Sequence, residues 1–309
     1  MQSSLPLFTV LTPTYNRAHL LPRLYTSLRN QTCRDFEWLV VDDGSTDDTA
    51  TVVADWQSAD SAFPVRYVHQ LNAGKVAAMN RGIRDARGNL IAQIDSDDEL
   101  LPDALQVLLD AWQELDFAAR ARFVGVTGLC IDDDGRIVGS RYPMDAFVSD
   151  SLESRYRYKI RGEKWGFQRR DVLLRFPFPE GLPTRHIPEG VVWNKIAREF
   201  KTLYINRPLR IYHAGNDQIT RKSVAEVGWT LLIEHAQVLN EELDWFWYAP
   251  EEFIRSAVHY VRASLHLQHG VRAQRAGLRG SWAKVLWLLA LPLAWLVYQR
   301  DIHHAKASR

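Results

Sequence analysis

The sequence predicts an α/β protein, with a mostly parallel central sheet, helices on both faces and a helical extension at the C-terminal end. Three observations carry that reading. Through residue 115, apolar runs of strand length alternate with segments of helical periodicity. Three of the strand-like runs end in polar clusters, the pattern of an open α/β sheet whose ligands bind beyond the carboxyl ends of its strands. The 309 residues are 46% apolar and 24% charged, which supports a sizeable core.

The elements follow in order. "FTVLT" (8–12) reads as the first strand. "HLLPRLYTSLRNQ" (19–31) places Leu20, Leu24 and Leu28 on one helical stripe. "FEWLVV" (36–41) is the second strand, and a helix follows over 46–56 with Ser45 or Thr46 as its N-cap and acids in its first turn. "PVRYVHQ" is the third strand, "KVAAMNRGIRDA" (75–86) the third helix, ended by Gly88, and "LIAQID" (90–95) the fourth strand. "PDALQVLLDAWQEL" (102–115) opens a helix on proline. Beyond 116 the rhythm breaks. "RFVGVTGLCIDDDGRIVGS" reads as strand, turn and strand, its acids serving the turn. A short helix is expected at 189–200, then two strands, "KTLYI" and "LRIYH", and mostly helix over 222–270.

Net charge is +1, which gives no reason to expect a nucleic acid partner. Its distribution is uneven: residues 255–309 hold nine Lys/Arg and one acid, Asp301, leaving the remainder at −7. Two cysteines, Cys33 and Cys130, demand neither disulfide nor metal site and suit a reducing cytoplasm. The N-terminus shows neither the basic nor the apolar region of a signal peptide.

The strand-end clusters are "TPTYNR", "DDGS" and "DSDD". In parallel neighbours they share one edge, which accounts for acids at the end of core strands. In "IDSDDELLP" (94–102), Asp95, Asp97 and Asp98 crowd three carboxylates into four positions. A hard divalent cation, Mg²⁺ or Mn²⁺, would relieve their repulsion; an acidic loop capping the next helix has the same sequence.

The stretches "TVLTPTYNRAHLLPRLYTSLRNQTCRDFEWLVVDDGSTDDT" and "LNAGKVAAMNRGIRDARGNLIAQIDSDDELLPDAL" resemble the family 2 glycosyltransferases of the GT-A fold, over roughly residues 7–112. A weaker resemblance runs through 160–215, where "GEKWGF", "FPFPEG" and "IPEGVVWNKIA" are similar to the acceptor half of bacterial members that build cell-surface polysaccharides. The resemblance implies a GT-A domain over 1–221, with a nucleotide-sugar half (1–115) and an acceptor half (116–221), and a helical extension over 222–309.

It also implies roles. Pro13, Thr14 and Tyr15 would line the base and ribose pocket, Tyr15 stacking on the base. Asp43 would accept the uracil N3–H, supported by Asp42. Gly74 would allow close backbone approach, and Lys75 at a helix start would attract the diphosphate. Asn80 would brace that loop. Asp95 and Asp97 would form the D-x-D metal site with Asp98 as a further ligand and Ser96 beside the donor. Glu189 would be the base that takes the acceptor proton; the usual acidic pair is here Glu-Gly, so one carboxylate carries the role. His213 would be a further metal or phosphate ligand, or a structural histidine at a strand end. "GEKWG" and Arg169–Arg170 could meet an acidic acceptor, though arginine pairs are commonly plain surface.

The expected activity is inverting transfer from a nucleotide sugar, UDP-linked, to a glycan or lipid-linked glycan. A nucleotidyltransferase would need a glycine-rich basic loop after the first strand, which "TPTYNRAHL" lacks; an inactive binding protein would not need Asp43, Asp95, Asp97 and Glu189 together. Finally, "WAKVLWLLALPLAWLVY" (282–298) is apolar on nearly every face. Arg272, Arg275 and Arg279 precede it and Arg300, Lys306 and Arg309 follow. Basic flanks at both ends point to a membrane-surface segment on the cytoplasmic face rather than a span.

Overall fold

The computed structural model describes residues 5–58, 62–213 and 224–307. The chain forms two compact units, the first from residues 1–180 and 192–216 and the second from 181–191 and 217–309.

The first unit holds a nine-stranded sheet. Its first half repeats strand and helix: β1 (Phe8–Thr14), α1 (Leu21–Arg29), β2 (Phe36–Asp42), α2 (Thr49–Ser58), β3 (Val65–His69), α3 (Lys75–Asp85) and β4 (Leu90–Gln93). These four strands lie parallel in the order β3-β2-β1-β4. β1 and β2 are buried on both faces, which explains their near-continuous apolar sequence. The edge strand β3 is only half-buried and carries Arg66, which bonds Glu37 on β2. Below the sheet, Tyr25 stacks on Trp56 at 4.4 Å and Trp38 donates to Thr12 at 3.0 Å.

The second half is less regular. β5 (Glu99–Leu100), α4 (Ala104–Glu114), β6 (Phe123–Ile131), β7 (Phe147–Ser149), α5 (Ser151–Tyr156), β8 (Lys164–Arg169), α6 (Arg170–Arg175), α7 (Gly190–Ile196) and β9 (Lys201–Ile211) follow. β8 inserts antiparallel between β4 and β6, so the whole sheet reads β3-β2-β1-β4-β8-β6-β9-β5, with β7 on β9. Only β5, β7 and β8 run against the prevailing direction. Both cysteines are free and buried.

Several expectations need correction. The buried stripe of α1 is Leu21, Leu24 and Leu28; Leu20 is the N-cap, because Pro22 fixes the first turn one residue later. Helix α2 starts at Thr49, where Asp47 accepts from the Thr49 amide and hydroxyl, while Ser45 is used elsewhere. Residues 201–211 form one strand, not two, with register shifts against β6 absorbing the irregularity around Pro208. After the "DDDG" turn, where Asp132 accepts from the Asp134 and Arg136 amides, there is an isolated bridge between Ile131 and Ile137 rather than a second full strand.

The second unit is helical: α8 (Val224–Glu241), a short 3-10 turn at Leu243–Tyr248, α9 (Pro250–His266), α10 (Val271–Ala276) and α11 (Ser281–Ala307). Within it α8 and α11 both pack on α9. Residues 222 and 223 of the expected helical stretch, and the basic residue Arg309, lie outside the described residues.

Candidate active site

Because β1, β2, β3 and β4 are parallel, their carboxyl ends form one edge, and main-chain bonds lock the segments leaving it. The Asp43 amide donates to Thr14 O and the Gln70 amide to Asp42 O, each at 2.9 Å. Asn16 holds a left-handed conformation (φ 53°), which asparagine tolerates. Its amide donates to the Ser45 hydroxyl and its side chain accepts from the Thr46 amide, both at 2.8 Å. The "TYN" and "DGS" turns are thus one structure.

Asp42 and Asp43 are both buried. Asp42 accepts from the Ser45 amide at 2.8 Å and from the Tyr67 hydroxyl at 2.5 Å. Partial burial, reinforced by that bond, pushes the Tyr67 hydroxyl well up, so it stays a neutral donor. Asp43 accepts from Gln70 Nε2 (2.8 Å), the Ala73 amide (2.9 Å) and the Gly74 amide (2.7 Å). The carboxylate expected to meet a nucleobase therefore also pins the loop before α3. Gly44, at φ +82°, lies so close to that loop that a Cβ would meet the Asn72 nitrogen at 2.9 Å. Gly74 is the N-cap of α3 with φ 96°. Asn80 on α3 bonds both polar atoms of Phe178 and, at 2.6 Å, Glu180, a clamp between the helix and residues 178–180.

The acidic cluster leaves β4. One oxygen each from Asp95, Asp97 and Asp98 lies within 4.8 Å of the others. Each acid has a cation beside it: Lys75 on Asp95 (2.6 Å), Arg17 on Asp97 (2.9 Å) and Arg210 on Asp98 (3.0 Å). Arg23 also bonds the Asp97 carbonyl. Asp95 and Asp97 are open to solvent, with 44% and 32% of their side chains exposed, while Asp98 is buried. The environments drive the acids apart. Desolvation works to raise Asp95, but the Lys75 ammonium, backed by Arg210 and Arg17, outweighs it and lowers the carboxyl. Desolvation pushes Asp98 up to about 6 against the pull of Arg210, with Asp95 and Asp97 adding to the rise. Ser96, between them, is buried.

Strand β5 follows the cluster immediately and pairs with the end of β9, setting Leu100 opposite Arg210. That pairing brings His213 to the cluster by its backbone, whose amide donates to Asp98 at 3.3 Å. The His213 imidazole itself lies between Asp133, paired to Nδ1, and Glu99, 3.4 Å from Nε2. Tyr15 is 47% exposed at the edge, and the buried Thr14 hydroxyl has no hydrogen-bond partner among the described residues. Pro13 is the half-buried penultimate residue of β1.

Glu189 is exposed, precedes α7 and belongs to the second unit. Arg169 and Arg170 serve the fold: Arg169 donates to three carbonyls and to Asp171, Arg170 to Ile83 and Arg84 carbonyls. In "GEKWG", Glu163 meets Arg210 at 3.0 Å and Trp165 donates to Gln93 O at 2.6 Å. No local pattern marks Arg17, Arg23 or Gln70 as part of this edge. Arg210 has one, a cation between Leu209 and Ile211 at the end of β9.

The mostly parallel sheet thus gathers three carboxylates and their cations beyond its strand ends. Residues 9–129 match the model of "Glycosyl transferase family 2". The chain is 26% identical to a GalNAc(5)-diNAcBac-PP-undecaprenol beta-1,3-glucosyltransferase of Campylobacter jejuni, over 77% of this chain and 76% of that protein. It is 32% identical to the putative glycosyltransferase EpsH of Bacillus subtilis, over 76% of this chain and 70% of that one. Among solved structures, S. aureus TarS 1–349 in complex with UDP-GlcNAc shares the fold with a TM-score of 0.58 at 19% identity, over 93% of this chain and 80% of that one. The protein belongs to glycosyltransferase family 2 and has the GT-A architecture.

Proposed function

We propose that this glycosyltransferase moves a sugar, with inversion, from a UDP-sugar to a hydroxyl of a lipid-linked saccharide, in a divalent-metal-dependent reaction of cell-surface polysaccharide synthesis. The observation that carries the reading is the carboxylate triad of Asp95, Asp97 and Asp98 at the donor edge. Three carboxylates whose oxygens lie this close are a hard-oxygen donor set of the kind Mn²⁺ or Mg²⁺ takes. Asp95 and Asp97, the two open to solvent, would hold the ion, and Asp98, tied to Arg210, would back them. When bound, the ion neutralises charge on the departing diphosphate.

The chain's own residues would do the rest. Lys75, at the start of α3, would turn from Asp95 to the diphosphate. Tyr15 would stack on the base, and Pro13 and the Thr14 hydroxyl would face base and ribose. Asp43 would hold the loop and accept from the base with its remaining lone pair; Asp42 would fix the adjoining turn. Ser96 and Gly74 would line the diphosphate. Glu189 would take the acceptor proton as the acceptor oxygen bonds to the anomeric carbon and the bond to the diphosphate breaks. His213 would act through its backbone on Asp98 rather than as a ligand. UDP is favoured by the TarS complex, and a lipid-linked acceptor by the diphosphate-undecaprenol saccharide that the Campylobacter relative is named for. Nucleotide sugars and such acceptors meet at the cytoplasmic face of the inner membrane, where we place the enzyme.

The test is a panel of UDP-, GDP- and dTDP-sugars offered with a polyprenyl-diphosphate saccharide. Glu189→Gln should lower transfer roughly 10²-fold or more while UDP affinity stays unchanged. An unaltered rate removes Glu189 from the chemistry, and transfer from another nucleotide in preference to UDP removes the donor assignment.

A further inference from the structure

In the second unit, α11 has two apolar faces. Ala283, Leu286, Trp287, Ala290 and Ala294 are buried, on the side by which the helix packs against α9. On the other side Val285, Leu288, Leu289, Leu293, Trp295 and Leu296 are each between 44% and 71% exposed. At 3.6 residues per turn these positions cover roughly half of the helix circumference, and no charged residue occurs from 285 to 299. Only 28% of the apolar stretch is buried, so this is not a core helix. The surface continues at the exposed Trp247 and Tyr248, beside a shallow cleft lined by Leu243, Phe246, Trp247, Trp282 and Leu286. A contiguous apolar surface of this kind marks an interaction site.

Polar ties decide between a span and a surface seat. Asp301 near the end of α11 takes two bonds of 2.6 Å from Arg262 on α9, and His266 lies 3.0 Å away. Trp287 donates to Gln274 at 3.0 Å. To cross a bilayer, α11 would have to break these ties or draw charged α9 in with it, and both are costly in hydrocarbon. The turn that carries Trp247 and Tyr248 has exposed acids, Glu241, Asp244 and Glu251, and Arg279 lies 3.9 Å from Glu241. Along α10 and at the ends of α11 the charge is positive: Arg272 and Arg275 are exposed, Lys284 and Arg300 flank the apolar run, and the one acid in 255–309 is already engaged by Arg262. Anionic headgroups complement it, and tryptophans suit the interface.

We propose that the second unit seats on an anionic phospholipid surface through the exposed face of α11, the helix lying in the plane of the interface with Arg272, Arg275 and Arg279 against the headgroups. The proposal goes beyond the transferase reading and uses none of its donor-site assignments, and its test reads lipid binding without turnover.

Full-length protein is sedimented with vesicles of phosphatidylcholine alone or mixed with phosphatidylglycerol. It should pellet with the anionic vesicles, and Leu289→Glu/Leu293→Glu should release it with an unchanged melting temperature, since both side chains are exposed. Arg272→Glu/Arg275→Glu should weaken anionic binding about 10-fold or more. Independently of any variant's folding, brominated acyl chains in the anionic vesicles should quench the wild-type tryptophan fluorescence. The proposal is overturned if the wild type stays in the supernatant with both vesicles, if bound protein resists alkaline carbonate as a span does, or if light scattering shows a dimer that Leu289→Glu/Leu293→Glu dissociates.

Discussion

Asp43→Asn should loosen the carboxyl edge of the sheet itself, whatever it does to nucleotide binding. Oδ1 of Asp43 takes Gln70 Nε2 and the Ala73 amide, and Oδ2 takes the Gly74 amide. Asparagine keeps one acceptor oxygen and sets an NH₂ group where Oδ2 stood, so the Gly74 amide faces a donor. The side chain is 4% exposed and water cannot compensate. Leaving a buried donor unsatisfied costs about 1–3 kcal/mol, and the two surviving bonds drop from charge-assisted to neutral, losing about 1 kcal/mol each. Local relaxation recovers part of this, which leaves about 3 kcal/mol. For a unit of this size that is a fall in melting temperature of roughly 6–12 °C. Differential scanning calorimetry of wild type and variant, beside a UDP titration, checks it. Weakened UDP binding with an unmoved transition would refute the reasoning and make Asp43 a nucleotide ligand alone.

Two further outcomes are expected. Arg210→Met strands the buried Asp98, and breaking a buried pair in this way costs about 3–5 kcal/mol; Arg210→Lys should recover part of it in urea denaturation, whereas equal loss in both variants would contradict the pairing. In the second unit, burial works to raise the Asp301 carboxyl, but the bonds from Arg262 and His266 outweigh it and hold it below 3.8. Its stabilisation is therefore fully present above that value and lost as pH falls through the lower folded one. Melts below pH 5 should show a steeper acid loss for wild type than for Asp301→Asn, and parallel curves would contradict the tie.

How far the sequence could be read depends on what each segment buries. β1 and β2 are covered on both faces, so "FTVLT" and "FEWLVV" could hardly be anything but core strands, and parallel pairing then fixed which edge held the acids. β8 was hidden because "KWGFQR" sits between polar ends and takes its place only through pairing with β4 and β6, far away in sequence. β5 is two residues long, and only the return of β9 makes it a strand. The same distance hid the cations. Asp98 and Arg210 are brought together by the β5–β9 pairing, and Arg17 reaches Asp97 from the turn after β1; neither pairing leaves a local pattern. His213 is a different case: its type left a ligand and a structural role open, and its imidazole lies between Asp133 and Glu99. For Asp43 the position was legible but the workload was not, since its three donors come from the loop after β3.

The most direct test of the central claim is calorimetric titration of UDP into the full chain with Mn²⁺ and with EDTA, for wild type, Asp95→Ala and Asp97→Ala. Cations now sit on all three acids, so a divalent ion that takes Asp95 and Asp97 frees Lys75 and Arg17 to meet the diphosphate. Binding should be at least about 10-fold tighter with Mn²⁺, and both variants should lose that difference. UDP affinity equal in Mn²⁺ and EDTA, or a metal effect that survives both substitutions, would contradict the account.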